Sequence, residues 1–187
     1  FVTYAYNQWQ IVDGSSQVFR GDRAPDAPDF AEELKGYYDT EVFYSAELDE
    51  LRLVSYYLPP SFSFRETYPV LYMTDGQALG WFARTVEPLI AKRLIPPIIM
   101  VGVHAPYAEP TRQRRAEEYI LGLNDEAYLA HEQFFTESVR RWSELRLGAS
   151  TDPNDRMIMG FSNGAAFAGN TAVRKPDTYG HVILFSQ

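Results

Sequence analysis

Short apolar runs recur along this chain between stretches of helical spacing, and that alternation constrains the fold more than any other feature. Tyr68–Thr74 (YPVLYMT) and Ile98–Val103 (IIMVGV) are nearly unbroken apolar runs, the mark of strands covered on both faces. Between them a helix is expected over about Trp81–Arg93, stopped by Pro96-Pro97. Glu126–Leu145 then repeats apolar residues at helical spacing: Tyr128, Leu129, Phe134, Phe135, Val139 and Trp142. Met157–Met159 reads as a third strand, the Ala-rich Asn163–Arg174 as a helix, and His181–Phe185 as a last buried strand. Strands alternating with helices imply βαβ units, right-handed crossovers and a parallel sheet. Ahead of them, Thr40–Leu48 and Leu51–Leu58 read as a hairpin ended by Pro59-Pro60. The fold class is α/β.

The chain's 187 residues are enough for one domain with a sizeable core. Phe1–Phe19 is expected to form two short strands about Asp13-Gly14, and Gly21–Glu33 (GDRAPDAPDFAEE) a linker. Residues 1–35 are therefore assigned to an N-terminal stub and linker, and 36–187 to the main domain. A net charge of −8 argues against a nucleic-acid partner, because phosphate binding needs a positive face. The absence of cysteine removes disulfides, thiolate catalysis and Cys-based metal sites. No apolar run approaches the ~18 residues of a membrane span, so no membrane partner is expected. There is no HExxH, calcium-loop spacing, GxGxxG or phosphate loop, and neither metal nor cofactor is expected.

The sharpest chemical signal is Gly160-Phe161-Ser162-Asn163-Gly164, a Gly-x-Ser-x-Gly set between an apolar strand and an Ala-rich helix. A nucleophile elbow requires that context. The turn is so tight that side chains two residues either side of the serine would collide, which places glycine at 160 and 164. The serine is lifted off the strand end in a strained conformation, and the helix behind it aims amides at any oxyanion formed there. The plainer reading is a glycine-rich turn that packs a helix onto the sheet. A second feature, Thr74-Asp75-Gly76-Gln77, ends the Tyr68–Thr74 strand, at the edge where parallel sheets bind ligands. Backbone amides of such a turn can complete an oxyanion hole, or it can be an ordinary strand-ending Asp-Gly turn.

The blocks YLPPSF, YPVLYMTDGQ, IPPIIMVGVHA, Arg115-x-x-Glu118-Tyr119, DPNDRMIMGFSNGA and RKPDTYGHVILFSQ follow one another in a telling order. Over about Gly36 to Gln187 they resemble the esterase family of α/β-hydrolases that holds enterochelin, feruloyl and acetylxylan esterases and S-formylglutathione hydrolase. The enterochelin-esterase branch is the most similar. The resemblance implies a three-layer sandwich with a mostly parallel sheet and a small-molecule ester substrate, with a siderophore trilactone as one candidate. It implies Ser162 as nucleophile and the backbone amides of Gln77 and Asn163 as the oxyanion hole. Arg115 matches a family arginine at the mouth of the site, where it would meet an anionic or catecholate substrate; the alternative is a local ion pair with Glu118. One departure is Ala165, where the family usually has a second glycine.

The larger departure is the rest of the triad, which in this fold runs Ser, then Asp or Glu, then His. Twenty-five residues follow Ser162, room for one helix and one strand, so the fold is expected to continue in chain beyond Gln187 that carries the acid and the histidine. Among the histidines present, His131 lies in the long amphipathic stretch and reads as a partly exposed structural residue. His181 opens the final strand at the end away from the chemistry. His104, just past the Ile98–Val103 strand, is the one placed for a substrate-pocket role. A serine carboxylic-ester hydrolase is the leading reading. A carbohydrate esterase and a non-catalytic hydrolase-like binding domain are the alternatives. The apolar last strand leaves an edge that a longer polypeptide or a second copy of the chain would cover.

Overall fold

A computed structural model describes residues 2–4, 17–19, 29–106 and 111–185. The chain divides into two compact units, Phe1–Phe30 and Ala31–Gln187. In the first, β1 (Val2–Tyr4) and β2 (Gln17–Phe19) pair antiparallel; the expected Asp13-Gly14 turn lies outside the described residues.

The second unit is built on one six-stranded sheet. Its strands are β3 (Tyr37–Ser45), β4 (Glu50–Leu58), β5 (Val70–Met73), β6 (Ile99–Val103), β7 (Arg156–Phe161) and β8 (His181–Phe185), in the spatial order β3-β4-β6-β5-β7-β8. The hairpin β3–β4 pairs in full register from Tyr37↔Leu58 to Ser45↔Glu50, and β4 meets β6 antiparallel. From β6 through β5 and β7 to β8 every pairing is parallel. The sheet is thus mixed, with the expected parallel part carrying an antiparallel hairpin at one side.

Side-chain alternation splits the core in two. Val70 and Tyr72 join Val54, Tyr56, Ile99, Val101 and Ile158 on one face, while Leu71 and Met73 join Tyr57, Met100 and Met159 on the other. Period-two alternation in strands apolar on both sides demands this, and helices must then cover both faces. Helix α1 (Leu79–Ala91) buries Leu79 and Ala83 on the second face. The first face is covered by α2 (Thr111–Tyr119), α3 (Asp125–Gln133), α4 (Arg140–Arg146) and α5 (Asn163–Arg174), through Tyr119, Tyr128, Trp142 and Phe167 among others. These three layers define an α/β-hydrolase fold.

Two local expectations are revised. The long helix read over Glu126–Leu145 is α3 and α4 joined by a π-helical turn, Phe134–Val139, whose buried Phe134, Phe135 and Val139 all enter the core. An extra residue per turn preserves a continuous helical path, so spacing alone does not announce it. The last strand is not buried: Val182, Leu184 and Phe185 of β8 are 41%, 52% and 43% exposed. Of the described strands only β7 pairs with it.

Candidate active site

The carboxyl ends of β5 and β7 lie side by side, tied by Thr74 N–H donating to Met159 O at 3.1 Å. Ser162 follows β7 at φ 55°, ψ −122°, a conformation that costs a non-glycine residue on the order of 1–3 kcal/mol. Its N–H donates to Phe185 O at 2.8 Å, and its carbonyl accepts from Ala165 N–H at 2.9 Å. Although Ser162 occupies the N-cap of α5, where a serine hydroxyl ordinarily accepts from the helix, its side chain makes no capping bond. The hydroxyl is exposed and uncommitted by the cap. A Cβ on Gly160 would stand 1.9 Å from Gly164 O, and one on Gly164 would stand 2.2 Å from Thr74 Oγ1. Both glycines are therefore dictated by close approach of backbone and neighbour.

After β5 the chain turns at Asp75 (φ 54°, ψ 49°, left-handed) into a short 3₁₀ turn, Gly76–Ala78, that leads straight into α1. Gln77 and Asn163 both sit in opening turns of helices, where amides lack an intrahelical carbonyl and are available to an anion. A cavity of about 460 Å³ opens between the two turns. Trp81, Phe82, Phe161 and Phe185 give it aromatic walls, Met73 and Met159 an apolar floor, and Asp75, Gln77 and Arg115 its polar side. Gly160 and Phe161, the two residues before Ser162, line it as well. A larger cavity, about 980 Å³, lies against Pro60, Ser61 and Ile95–Pro97, at the opposite ends of the parallel strands. Ligands of open α/β sheets bind beyond the strands' carboxyl ends, so the smaller cavity is the candidate site.

Arg115 lines that cavity, but not as half of a pair with Glu118. It holds Asp75 bidentately, Nε to Oδ1 at 2.7 Å and Nη2 to Oδ2 at 2.6 Å. Glu118 instead lies buried against Arg52, with contacts of 2.8 and 2.9 Å. Sequence reasoning marked Asp75, Arg115 and Tyr119 inside motifs yet missed that they meet. The available signal was the i, i+4 spacing of Arg115 and Tyr119, which puts both on one helix face.

None of the three histidines reaches the cavity wall. His104 is buried, its Nε2 2.7 Å from Ser55 Oγ, with its ring beside Gly76; burial pushes its pKa down. This takes His104 off the candidate pocket, because the residue after β6 turns inward beneath the Gly76 turn. His131 is fully buried rather than partly exposed, packed against Tyr119, Phe135 and Phe167. Its Nδ1 approaches Glu118 Oε2 to 3.3 Å without hydrogen-bond geometry. Burial, reinforced by the Arg52 charge, holds its pKa well below the usual value, and the ring is neutral. His181 sits at the far end of β8, its Nε2 2.9 Å from Asn154 O. Among the described residues no group of three or more His, Asp or Glu is placed to hold a metal ion.

A mixed sheet wrapped by helices, with a strained serine at a strand-to-helix elbow, defines a hydrolase-type α/β protein. The match to a family model extends over residues 45–187, and the chain belongs to that family, described as "Putative esterase". The Bacillus subtilis (strain 168) protein YjcH, itself uncharacterized, is 31% identical over 158 residues, covering 81% of this chain and 62% of its own. Among solved structures, a ferulic acid esterase superposes with a TM-score of 0.65 at 21% identity, covering 80% of this chain and 58% of its own. The enterobactin esterase FES of Shigella flexneri, determined in the presence of enterobactin, gives 0.68 at 18% identity, over 88% of this chain and 41% of its own. The chain thus spans less than two thirds of the length of each of these proteins.

Proposed function

We propose that these residues form the nucleophile half of a serine carboxylic-ester hydrolase. Ser162 Oγ attacks the ester carbonyl, its proton passes to a general base, and the tetrahedral oxyanion is held by the amides of Gln77 and Asn163. Collapse expels the alcohol and leaves an acyl-enzyme that water then hydrolyses. The observation that carries this reading is Ser162 itself: a strained N-cap serine whose hydroxyl makes no cap, beside a cavity at the strand ends. A structural turn would use glycine there, or put the hydroxyl to work as a cap. With none of the three histidines on the cavity wall, the reading draws the base and its acid from chain outside these 187 residues. The partial coverage of the longer relatives supports that.

Four aromatic rings around the cavity favour an aryl-bearing ester. The substrate proposed is a siderophore trilactone; a feruloyl or acetyl sugar ester is the second reading, supported by the likeness to a ferulic acid esterase. The test is turnover by the full-length protein of a short-chain aryl ester, a catecholate trilactone and a feruloylated sugar. Ser162→Ala is expected to lower kcat by about 10⁶, as loss of a triad serine does. Turnover that survives Ser162→Ala would overturn the esterase reading. A full-length protein that binds these esters without turnover would make it a binding domain.

A further inference from the structure

The chemistry above leaves one charged pair on the cavity wall unexplained, Asp75 with Arg115. Asp75 is the left-handed residue from which the Gly76–Ala78 turn starts. Two side chains of α2 close on it from one helix face. Arg115 binds both carboxylate oxygens, and Tyr119 Oη accepts from Asp75 N–H at 3.2 Å. The guanidinium also lies 4.8 Å over the Tyr119 ring, and Tyr119 is wholly buried, with its phenol pKa pushed up by that burial. Farther along the turn, Gln77 Oε1 accepts from Ala105 N–H at 3.3 Å, and Gln77 Nε2 reaches Asp75 Oδ1 at 3.4 Å. One helix therefore grips the backbone and the side chain of the same residue, and the turn that follows is anchored at both ends.

A guanidinium that captures a substrate anion has to face it with free donors and uncompensated charge. Arg115 already commits Nε and Nη2 to a carboxylate, and that carboxylate itself lines the cavity and repels an incoming anion. We propose that Arg115, Asp75 and Tyr119 form a positioning clamp that holds the Gln77 amide where the oxyanion develops, and that Arg115 is not the substrate's anion contact. The clamp rests on the serine-esterase reading. It acts through the backbone: the left-handed turn at Asp75 sets the direction of the next two amides, and the bidentate pair keeps that turn from relaxing.

The experiment measures kcat and KM in the full-length protein for two aryl esters, one neutral and one bearing a carboxylate. The variants are Arg115→Gln, Arg115→Lys, Asp75→Asn and the Arg115→Gln/Asp75→Asn pair, with Ser162→Ala as the control. A clamp lowers kcat on both esters alike, by about tenfold to a hundredfold, below the roughly 10²–10³ lost with an oxyanion donor outright. KM changes little, the paired variant is no worse than either single one, and Arg115→Lys recovers only part because an ammonium cannot bind bidentately. Independently of activity, amide exchange at Gly76–Ala78 accelerates in Arg115→Gln. If that variant does not fold, Asp75→Asn, which keeps an acceptor at Oδ1, carries the same test. Loss confined to the carboxylate ester and expressed in KM would make Arg115 a substrate contact and overturn the clamp. Unchanged kcat in every clamp variant, with Ser162→Ala inactive, would also overturn it while leaving the esterase reading intact. Should Ser162→Ala stay active, the esterase reading fails and the clamp's catalytic role, which rests on it, is overturned with it; amide exchange then reports only whether the pair holds the turn.

Discussion

Two turns end neighbouring parallel strands, and both pass through backbone that non-glycine residues rarely adopt: Ser162 after β7 and Asp75 after β5. They are supported in opposite ways. Asp75 is tied by its carboxylate to Arg115 and by its amide to Tyr119. Ser162 is held through its backbone and by the crowding of Gly160 and Gly164, and its hydroxyl caps nothing. A strained residue persists only when its surroundings over-determine it. At Asp75 the side chain is part of that determination, whereas at Ser162 it is spared. A residue spared in this way is the one a reaction can use.

The comparison breaks first at the glycines. Gly160→Ala puts a methyl 1.9 Å from a backbone oxygen that cannot yield without moving α5, so a loss of about 3 kcal/mol or more is expected. Urea unfolding measures it, and a loss under 1 kcal/mol would mean the elbow is looser than its geometry. Acid titrates the buried base of the Asp75 grip. His131 is neutral when folded and lies against Glu118 and Arg52, beneath α2. Its folded pKa is depressed, so the unfolded chain binds the extra proton, and stability falls as pH drops below about 6.5, by up to ~1.4 kcal/mol per unit. His104 is shifted the same way and adds to the slope. His131→Phe should flatten the slope; an unchanged slope would assign it to other groups.

Glycine substitution then separates the two turns directly. Asp75→Gly relieves the left-handed strain but loses a partly buried bidentate pair, and is expected to cost about 1 kcal/mol. Ser162→Gly relieves strain and breaks no side-chain capping bond, and is expected to stabilise by up to about 1 kcal/mol, less whatever the freer unfolded chain gains. Thermal midpoints of the two variants shifting in the same direction would remove the distinction between a tied and a spared side chain.

Much of this architecture was legible beforehand. Helix α5 runs Asn163–Arg174 and β8 His181–Phe185, as their composition and boundaries indicate, and β5 and β6 fall inside the runs read for them. The serine's place between strand and helix was legible for the same reason: it is written in five consecutive residues. The pairings were not. Arg115 was expected at the mouth of the site, facing substrate or else paired with Glu118 three residues on; it lines the cavity but binds Asp75 forty residues back, and Glu118 meets Arg52. His131 sits on an amphipathic stretch whose apolar side faces three aromatic rings from elsewhere in the chain.

What the sequence by itself determined was therefore everything governed by local period and local crowding. Strands alternate with helices because apolar residues recur at periods of two and 3.6, and glycine brackets Ser162 because the elbow admits no Cβ. Only the tertiary structure decided the insertion of β6 between β4 and β5 and the choice of partners for Asp75, Glu118 and the three histidines. Those outcomes depend on which segments come together across the sheet. A long polar side chain can reach any of several opposite charges, and burial selects the one whose geometry also satisfies its neighbours.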